Sequence, residues 1–292
     1  MDRVLIVGCG DIGRRTARLW GARGVAVFGL ARSPRTAARF SRQGIVPVPG
    51  DLDDRGSLRE LPTRGALVYY FAPPPAHGET DPRARAFADA VPDGDEPEKL
   101  VYMSTTAVYG NLKGGWATEE TPAVPEADRG KRRLDAENAL LAWGRERNVP
   151  VVVLRVAGIY GPGRLPVEAI RRGTPVLDEA DSPWSNRIHA EDLARVCVAA
   201  GERGRGGRIY NVSDGVPGTI TEYFFAVADR LGLPRPPAVG LGESRKVLSP
   251  GLLDYLSESR RIDNRRMREE LDVALLYPTL AAGLAASLED DL

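Results

Sequence analysis

The sequence predicts an α/β chain, a doubly wound parallel sheet with a smaller C-terminal lobe. Three observations predict it. Apolar runs of strand length alternate with helix-length stretches through the first two thirds of the 292 residues. Those runs are almost entirely apolar and do not alternate with polar residues, as strands covered on both faces require. After Gly161-Pro162-Gly163 the pattern breaks into shorter pieces punctuated by proline and glycine.

Taken in order, residues 4–7, 25–30, 45–48, 67–71, 100–103 and 151–156 read as buried strands. Helical patterns cover 12–23 and 133–147, and Pro73-Pro74-Pro75 stiffens a loop. The second helix reads as starting in P-E-A-D-R-G-K-R-R-L-D-A-E (125–137), where Asp128 suits a cap and four cations crowd together. Its Leu134, Leu140, Leu141 and Trp143 suit either the core or a dimer face, so monomer and homodimer both remain open. A further helix follows His189, with Glu191 or Asp192 near its cap. A strand at 208–212 and helices over 219–231 and from 264 to the end complete the pattern. The expected division is a sheet domain of 1–165, rejoined by 187–212, and a substrate lobe of 166–186 and 213–292.

Forty basic residues balance forty acidic ones, so no global field draws the chain to nucleic acid or an anionic membrane. Cys9 and Cys197 lie far apart in apolar contexts, which argues against a disulfide and suits a reducing compartment. No apolar run approaches the roughly 20 residues that span a bilayer. The opening M-D-R-V-L-I-V-G carries no leader signal. A soluble, cytoplasmic protein is expected. Two histidines give no metal-ligand cluster, and neither a G-x-S-x-G elbow nor a Ser-His-Asp spacing is present.

V-L-I-V-G-C-G-D-I-G (4–13) sets Gly8, Gly10 and Gly13 between a strand and a helix. Gly8 allows the tight turn, Gly10 lets backbone approach a diphosphate, and Gly13 lets helix pack on strand. The anion would rest on the N–H groups at the helix start, around Asp11 and Ile12. The expected fold is therefore Rossmann-type. Asp11 adds negative charge where the phosphates would lie. The second strand ends G-L-A-R-S-P, without the acid that usually holds an NAD ribose. Arg32 there suits a 2′-phosphate, or it is a solvated surface arginine. The cofactor expected is NADP, with NAD the alternative.

Four further segments resemble the extended short-chain dehydrogenase/reductase family, in its NAD-dependent epimerase/dehydratase group. They are P-G-D-L-D-D (49–54), V-Y-M-S-T-T-A-V-Y-G (101–110), L-R-V-A-G-I-Y-G-P-G (154–163) and N-R-I-H-A-E-D-L-A-R-V (186–196). The likeness continues through I-Y-N-V-S-D-G and R-I-D-N-R-R-M-R-E-E-L, so it covers nearly the whole chain. It implies adenine contacts from Asp51 and Leu52, a catalytic hydroxyl at Thr105, and a loop past the nicotinamide at 154–163. It also implies cofactor contacts from Ala72, Ser104 and Tyr160. Val7 replaces an early glycine of the family's turn. More consequential, the family's Tyr-x-x-x-Lys pair, counted from T-P-A-V-P (121–125), falls on Arg129 and Arg133.

A guanidinium cannot serve as a general base near neutrality. Arg133 can still hold the ribose. Arg129 either anchors a ligand carboxylate or phosphate, or both arginines face solvent or pair with Asp128, Asp135 and Glu137 along the helix. Proton transfer would fall to Tyr109, Tyr160 or water, while His189 reads as structural. Two functions follow. One is an atypical NAD(P)-dependent oxidoreductase or epimerase/dehydratase acting on a small carbonyl, hydroxyl or sugar-nucleotide-like substrate, with an anionic substrate suited to the arginines. The other is an NADP(H)-binding regulator or scaffold without turnover.

Overall fold

A computed structural model describes residues 2–248, 253 and 256–289. Seven parallel strands form the central sheet: β1 (Arg3–Val7), β2 (Ala26–Ala31), β3 (Val46–Pro49), β4 (Leu67–Tyr70), β5 (Lys99–Thr105), β6 (Val151–Val156) and β7 (Ile209–Val212). Their spatial order is β7-β6-β5-β4-β1-β2-β3. The order reverses at β1, where the crevice of a doubly wound sheet opens beyond the strand ends.

Alternation along β1 shows how the apolar runs are used. Val4 and Ile6 join one core cluster; Leu5 and Val7 join another on the opposite face. The first face is covered by α1 (Asp11–Gly21) and α5 (Ala190–Arg203), the second by α3 (Pro82–Ala90) and α4 (Asp128–Glu146). Helix α2 (Pro34–Arg42) packs beside β3, capped by Ser33, whose hydroxyl accepts from Thr36 N–H at 3.3 Å. Asp81 caps α3 in the same way, as short polar side chains do at helix starts. Leu140 is fully buried and Trp143 8% exposed in the second cluster, so these two residues of α4 serve the chain's own core.

A third cluster, with Tyr160, Ile170, Val227, Ala228 and Leu284, lies under α6 (Ile220–Arg230). A capping box between Thr219 and Glu222 starts that helix. The C-terminal segment carries the helical segments expected from 264 onward, interrupted once. It forms α7 (Arg265–Leu271), an irregular stretch, and α8 (Leu280–Glu289); residues 290–292 lie outside the described ones. Asp272 turns left-handed at φ 45°, and Asp192 of α5 accepts from Leu276 N–H at 2.7 Å and Tyr277 N–H at 2.9 Å. These backbone donors are satisfied by a side chain instead of a helical turn. Among the described residues no helix is long and apolar enough to cross a membrane.

Asp214, just after β7, is 8% exposed, and burial pushes its carboxyl up to about 6 despite a hydrogen bond from Val216 N–H. Its folded value lies above the ordinary one of about 3.9, so its contribution is complete below that pH and is lost as pH rises through about 6. Asp214→Asn is expected to remove roughly 2 kcal/mol of that decline, read from urea unfolding at pH 4 and 7.

Candidate functional site

The turn between β1 and α1 is shaped by its glycines. Gly8 sits at φ +88°, and a Cβ there would lie 2.3 Å from Ala72 N. A Cβ on Gly13 would meet Ile6 at 3.1 Å and the Gly8 carbonyl at 3.2 Å, so helix and strand close on that hydrogen. Gly10 differs. It caps α1 with no side-chain bond, and the nearest atom to an added Cβ is 3.9 Å away. The helix therefore begins as a cradle with room at Gly10 and N–H groups from Asp11, Ile12 and Gly13, which fits a diphosphate.

Asp11 does not spoil that charge. Burial raises its carboxyl, but hydrogen bonds from Arg164 (2.7 Å) and Arg15 (3.0 Å) outweigh burial and hold it below the ordinary range. Arg32 is exposed just beyond β2. The Asp51 carboxylate accepts from Asp53 N–H at 3.1 Å, and Leu52 packs half-buried on the second core face.

Beyond the ends of β5 and β6 opens a cavity of about 470 Å³. Pro73, Pro74, Pro75 and Ala76 form one wall, with Thr105, Thr106 and Ala107 at the end of β5. Val156, Ala157 and Gly158 continue from β6; Trp184, Ser185, Asn186 and Ile220 close the far side. Helix α4 contributes Arg129, Arg132 and Arg133, spaced to share one face. Glu258 and Arg260 arrive from the C-terminal segment.

Two sequence expectations about α4 change here. Asp128 does not cap it: Ala127 holds the cap position without a side-chain bond, and Asp128 opens the first turn. Nor do Arg129 and Arg133 simply face solvent, since each has a partner outside its own helix. Arg129 Nη2 lies 3.0 Å from Glu258 Oε2, and Arg260 Nη1 bonds the same oxygen at 2.9 Å. Arg133 Nη1 donates to the Met103 carbonyl at 2.8 Å, with Ala72 O and the Tyr102 hydroxyl at 3.5 Å. Asp135 is taken by Arg85, and Glu137 by Arg155 and Ser104.

Thr105 reaches the cavity while its Oγ1 accepts from Ala107 N–H at 3.2 Å. The other hydroxyls of the sequence reading do not join it. Ser104 donates to Glu137 at 2.5 Å. Tyr109 is 2% exposed, donates to Asn211 Oδ1 at 2.7 Å, and lies under the Arg155 guanidinium at 4.8 Å. Tyr160 is 1% exposed in the third cluster, with its hydroxyl 3.4 Å from Thr279 O. Burial raises both phenols. Among the described residues lining the cavity there is no tyrosine. Each of these two hydroxyls is engaged inside the fold, and neither Tyr109 nor Tyr160 lines the cavity. Tyr109→Phe is expected to cost about 1 kcal/mol of stability and to leave cofactor affinity and turnover unchanged. A variant that binds cofactor normally but has lost turnover would restore Tyr109 as a relay.

His189 makes a structural hydrogen bond at the start of α5, as read: its Nδ1 accepts from Glu191 N–H at 3.3 Å, so His189 itself, not Glu191 or Asp192, holds the cap position. Sequence reasoning missed Arg132, Glu258 and Arg260. Arg132 was legible as the third residue on the face shared by Arg129 and Arg133. Glu258 and Arg260 carry no local signal, because only the tertiary fold brings them to α4.

A sequence model of the NAD dependent epimerase/dehydratase family matches residues 4–213. Protein YeeZ of Escherichia coli (strain K12) is 27% identical over 95% of this chain and 97% of its own length. A ketoreductase of Stigmatella aurantiaca acting on 4-hydroxy-2-methyl-3-oxo-4-farnesyl-3,4-dihydroquinoline-1-oxide is 25% identical over 77% of this chain and 72% of its own. Among solved structures, a functionally unknown conserved protein from Silicibacter pomeroyi DSS is 32% identical, with TM-score 0.84, over 100% of this chain and 99% of its own. The dTDP-glucose 4,6-dehydratase of Bacillus anthracis str. Ames in complex with NAD shares the fold at TM-score 0.78 and 20% identity, over 99% and 96%. With a match across the sheet and most of the strand-end loops, the chain belongs to the NAD dependent epimerase/dehydratase family.

Proposed function

We propose that the chain is an NAD(P)-dependent enzyme, an oxidoreductase or epimerase/dehydratase of a small substrate, that prefers NADP. One observation carries this reading: cradle and cavity share a single residue, Ala72. Ala72 N packs against Gly8, the Ala72 carbonyl faces Arg133, and Pro73–Pro75 continue as the cavity wall. A dinucleotide resting on α1 would therefore border the cavity. When bound it supplies hydride chemistry.

In this reading the N–H groups after Gly10 hold the diphosphate, Asp51 and Leu52 flank the adenine, and Arg32 meets a 2′-phosphate. Arg133 keeps a positive charge near the ribose. Thr105 donates to the substrate oxygen, and water admitted to the cavity carries the proton. Residues 166–186 and 213–292 form the substrate lobe. The solved dehydratase complex with NAD and the ketoreductase relative support the cofactor class and the reaction class.

Fluorescence titration with NADPH and NADH, followed by cofactor oxidation against a carbonyl panel, tests the proposal. NADPH is expected to bind at least ~10-fold more tightly than NADH, a difference of about 1.4 kcal/mol, and Arg32→Ala to erase the preference. Oxidation with at least one substrate is expected. Tight binding with no turnover would favour the regulator reading. Failure to bind either nucleotide would defeat both.

A further inference from the structure

The cavity contains two buried polar groups that the protein leaves incompletely matched. Arg132 is 9% exposed; its Nη1 donates to the Gly78 carbonyl at 2.6 Å, while its buried Nε has no hydrogen-bond partner. Among the described residues it forms no ion pair, whereas Arg129 and Arg260 share Glu258. Glu258 itself is 6% exposed, and its buried Oε1 receives no hydrogen bond. Arg132 on helix α4 and Glu258 in the C-terminal segment thus both line one cavity, with these two atoms covered by their neighbours.

Burying a charge without a counter-ion is costly, and so is a buried acceptor without a donor. A protein that keeps both in one cavity gains if a ligand supplies the missing partners. The ligand must offer an anion to the guanidinium and a donor to the carboxylate oxygen. A carboxylate matches the planar guanidinium better than a single-point acceptor would. Pro73–Pro75, Val156 and Ile220 leave room for a short hydrocarbon body between the two ends.

We propose that the cavity takes a small hydroxy acid, its carboxylate on Arg132 and a hydroxyl donating to Glu258 Oε1. The proposal rests on the reading of this cavity as the substrate site. It makes Arg132 a specificity residue that sorts ligands by charge, separate from the cofactor contacts.

Calorimetry of the full chain with saturating NADP tests it. The probes are glycolate, lactate, 3-hydroxybutyrate and malate, each against its amide, together with propionate and inorganic phosphate. At least one hydroxy acid is expected to bind ten-fold or more tightly than its amide and several-fold more tightly than propionate. Arg132→Gln is expected to lose that affinity ten-fold or more with NADP affinity unchanged. Arg132→Lys, which keeps the charge and a donor for Gly78, guards against a folding defect and is expected to fall between. No binding by any hydroxy acid, equal binding by the amides, phosphate binding as tightly as the best acid, or an unchanged Arg132→Gln would each overturn it. Nucleotide binding is read in the same samples. Its loss in the wild type counts against the enzyme reading, whereas intact nucleotide binding with indifference to hydroxy acids counts against this inference alone.

Discussion

Gly10→Ala is expected to weaken dinucleotide binding by ~10- to 100-fold, equivalent to about 1–3 kcal/mol, while leaving the unfolding midpoint nearly unchanged. The added methyl would meet nothing of the protein closer than 3.9 Å, so the folded state tolerates it. What it fills is the space where the diphosphate would approach backbone N–H groups. Gly8→Ala is the contrasting control. There a Cβ would stand 2.3 Å from Ala72 N at φ +88°, so the loss should appear first as instability. Titration with NADPH beside thermal unfolding separates the two. Unchanged affinity in Gly10→Ala would mean that the nucleotide does not rest on α1.

Glu137→Ala is expected to destabilise the chain by about 3–5 kcal/mol, the usual result of stranding a buried charge. Arg155 is 4% exposed on β6; its Nη2 bonds Glu137 Oε2 at 2.8 Å and its Nε lies 3.2 Å from Oε1. Ser104 donates to the same carboxylate, and Tyr109 stacks beneath the guanidinium. Removing Glu137 therefore unsettles the strand ends that carry Thr105. Against a total of roughly 5–15 kcal/mol the loss is a large one. Replacing both partners, as in Glu137→Leu with Arg155→Met, is expected to recover most of it, because the pair's desolvation cost disappears with the charges. Urea unfolding of both variants checks this, and a single-variant loss below about 1 kcal/mol would mean that the charge finds another partner or water.

The sheet was largely legible because its strands announce themselves. Residues 151–156 are β6 to the residue, a run apolar but for Arg155 and buried on both faces. Helix α4 was harder. Its first turns, Asp128 to Arg133, carry no apolar repeat, so periodicity marks its start only at 133, whereas backbone hydrogen bonding begins at 128. The break between α7 and α8 was not legible, because a local pattern cannot show that Asp192, far back in the chain, captures the backbone of Leu276 and Tyr277. The same limit hid the partner of Arg129. Three basic side chains in a row on α4 are visible in the sequence; the glutamate that meets one and leaves another unmatched is supplied by the fold. Tyr109 and Tyr160 stood in suggestive motifs, but a motif does not say which way a phenol points.

The position of Ala72 has a consequence for the order in which ligands are felt. Its nitrogen abuts Gly8, and its carbonyl, in the following peptide group, faces Arg133, so a displacement of this one residue from one side is felt on the other. Occupancy of the nucleotide shelf and occupancy of the neighbouring chamber should then be thermodynamically linked, each ligand altering the other's dissociation constant by the same factor.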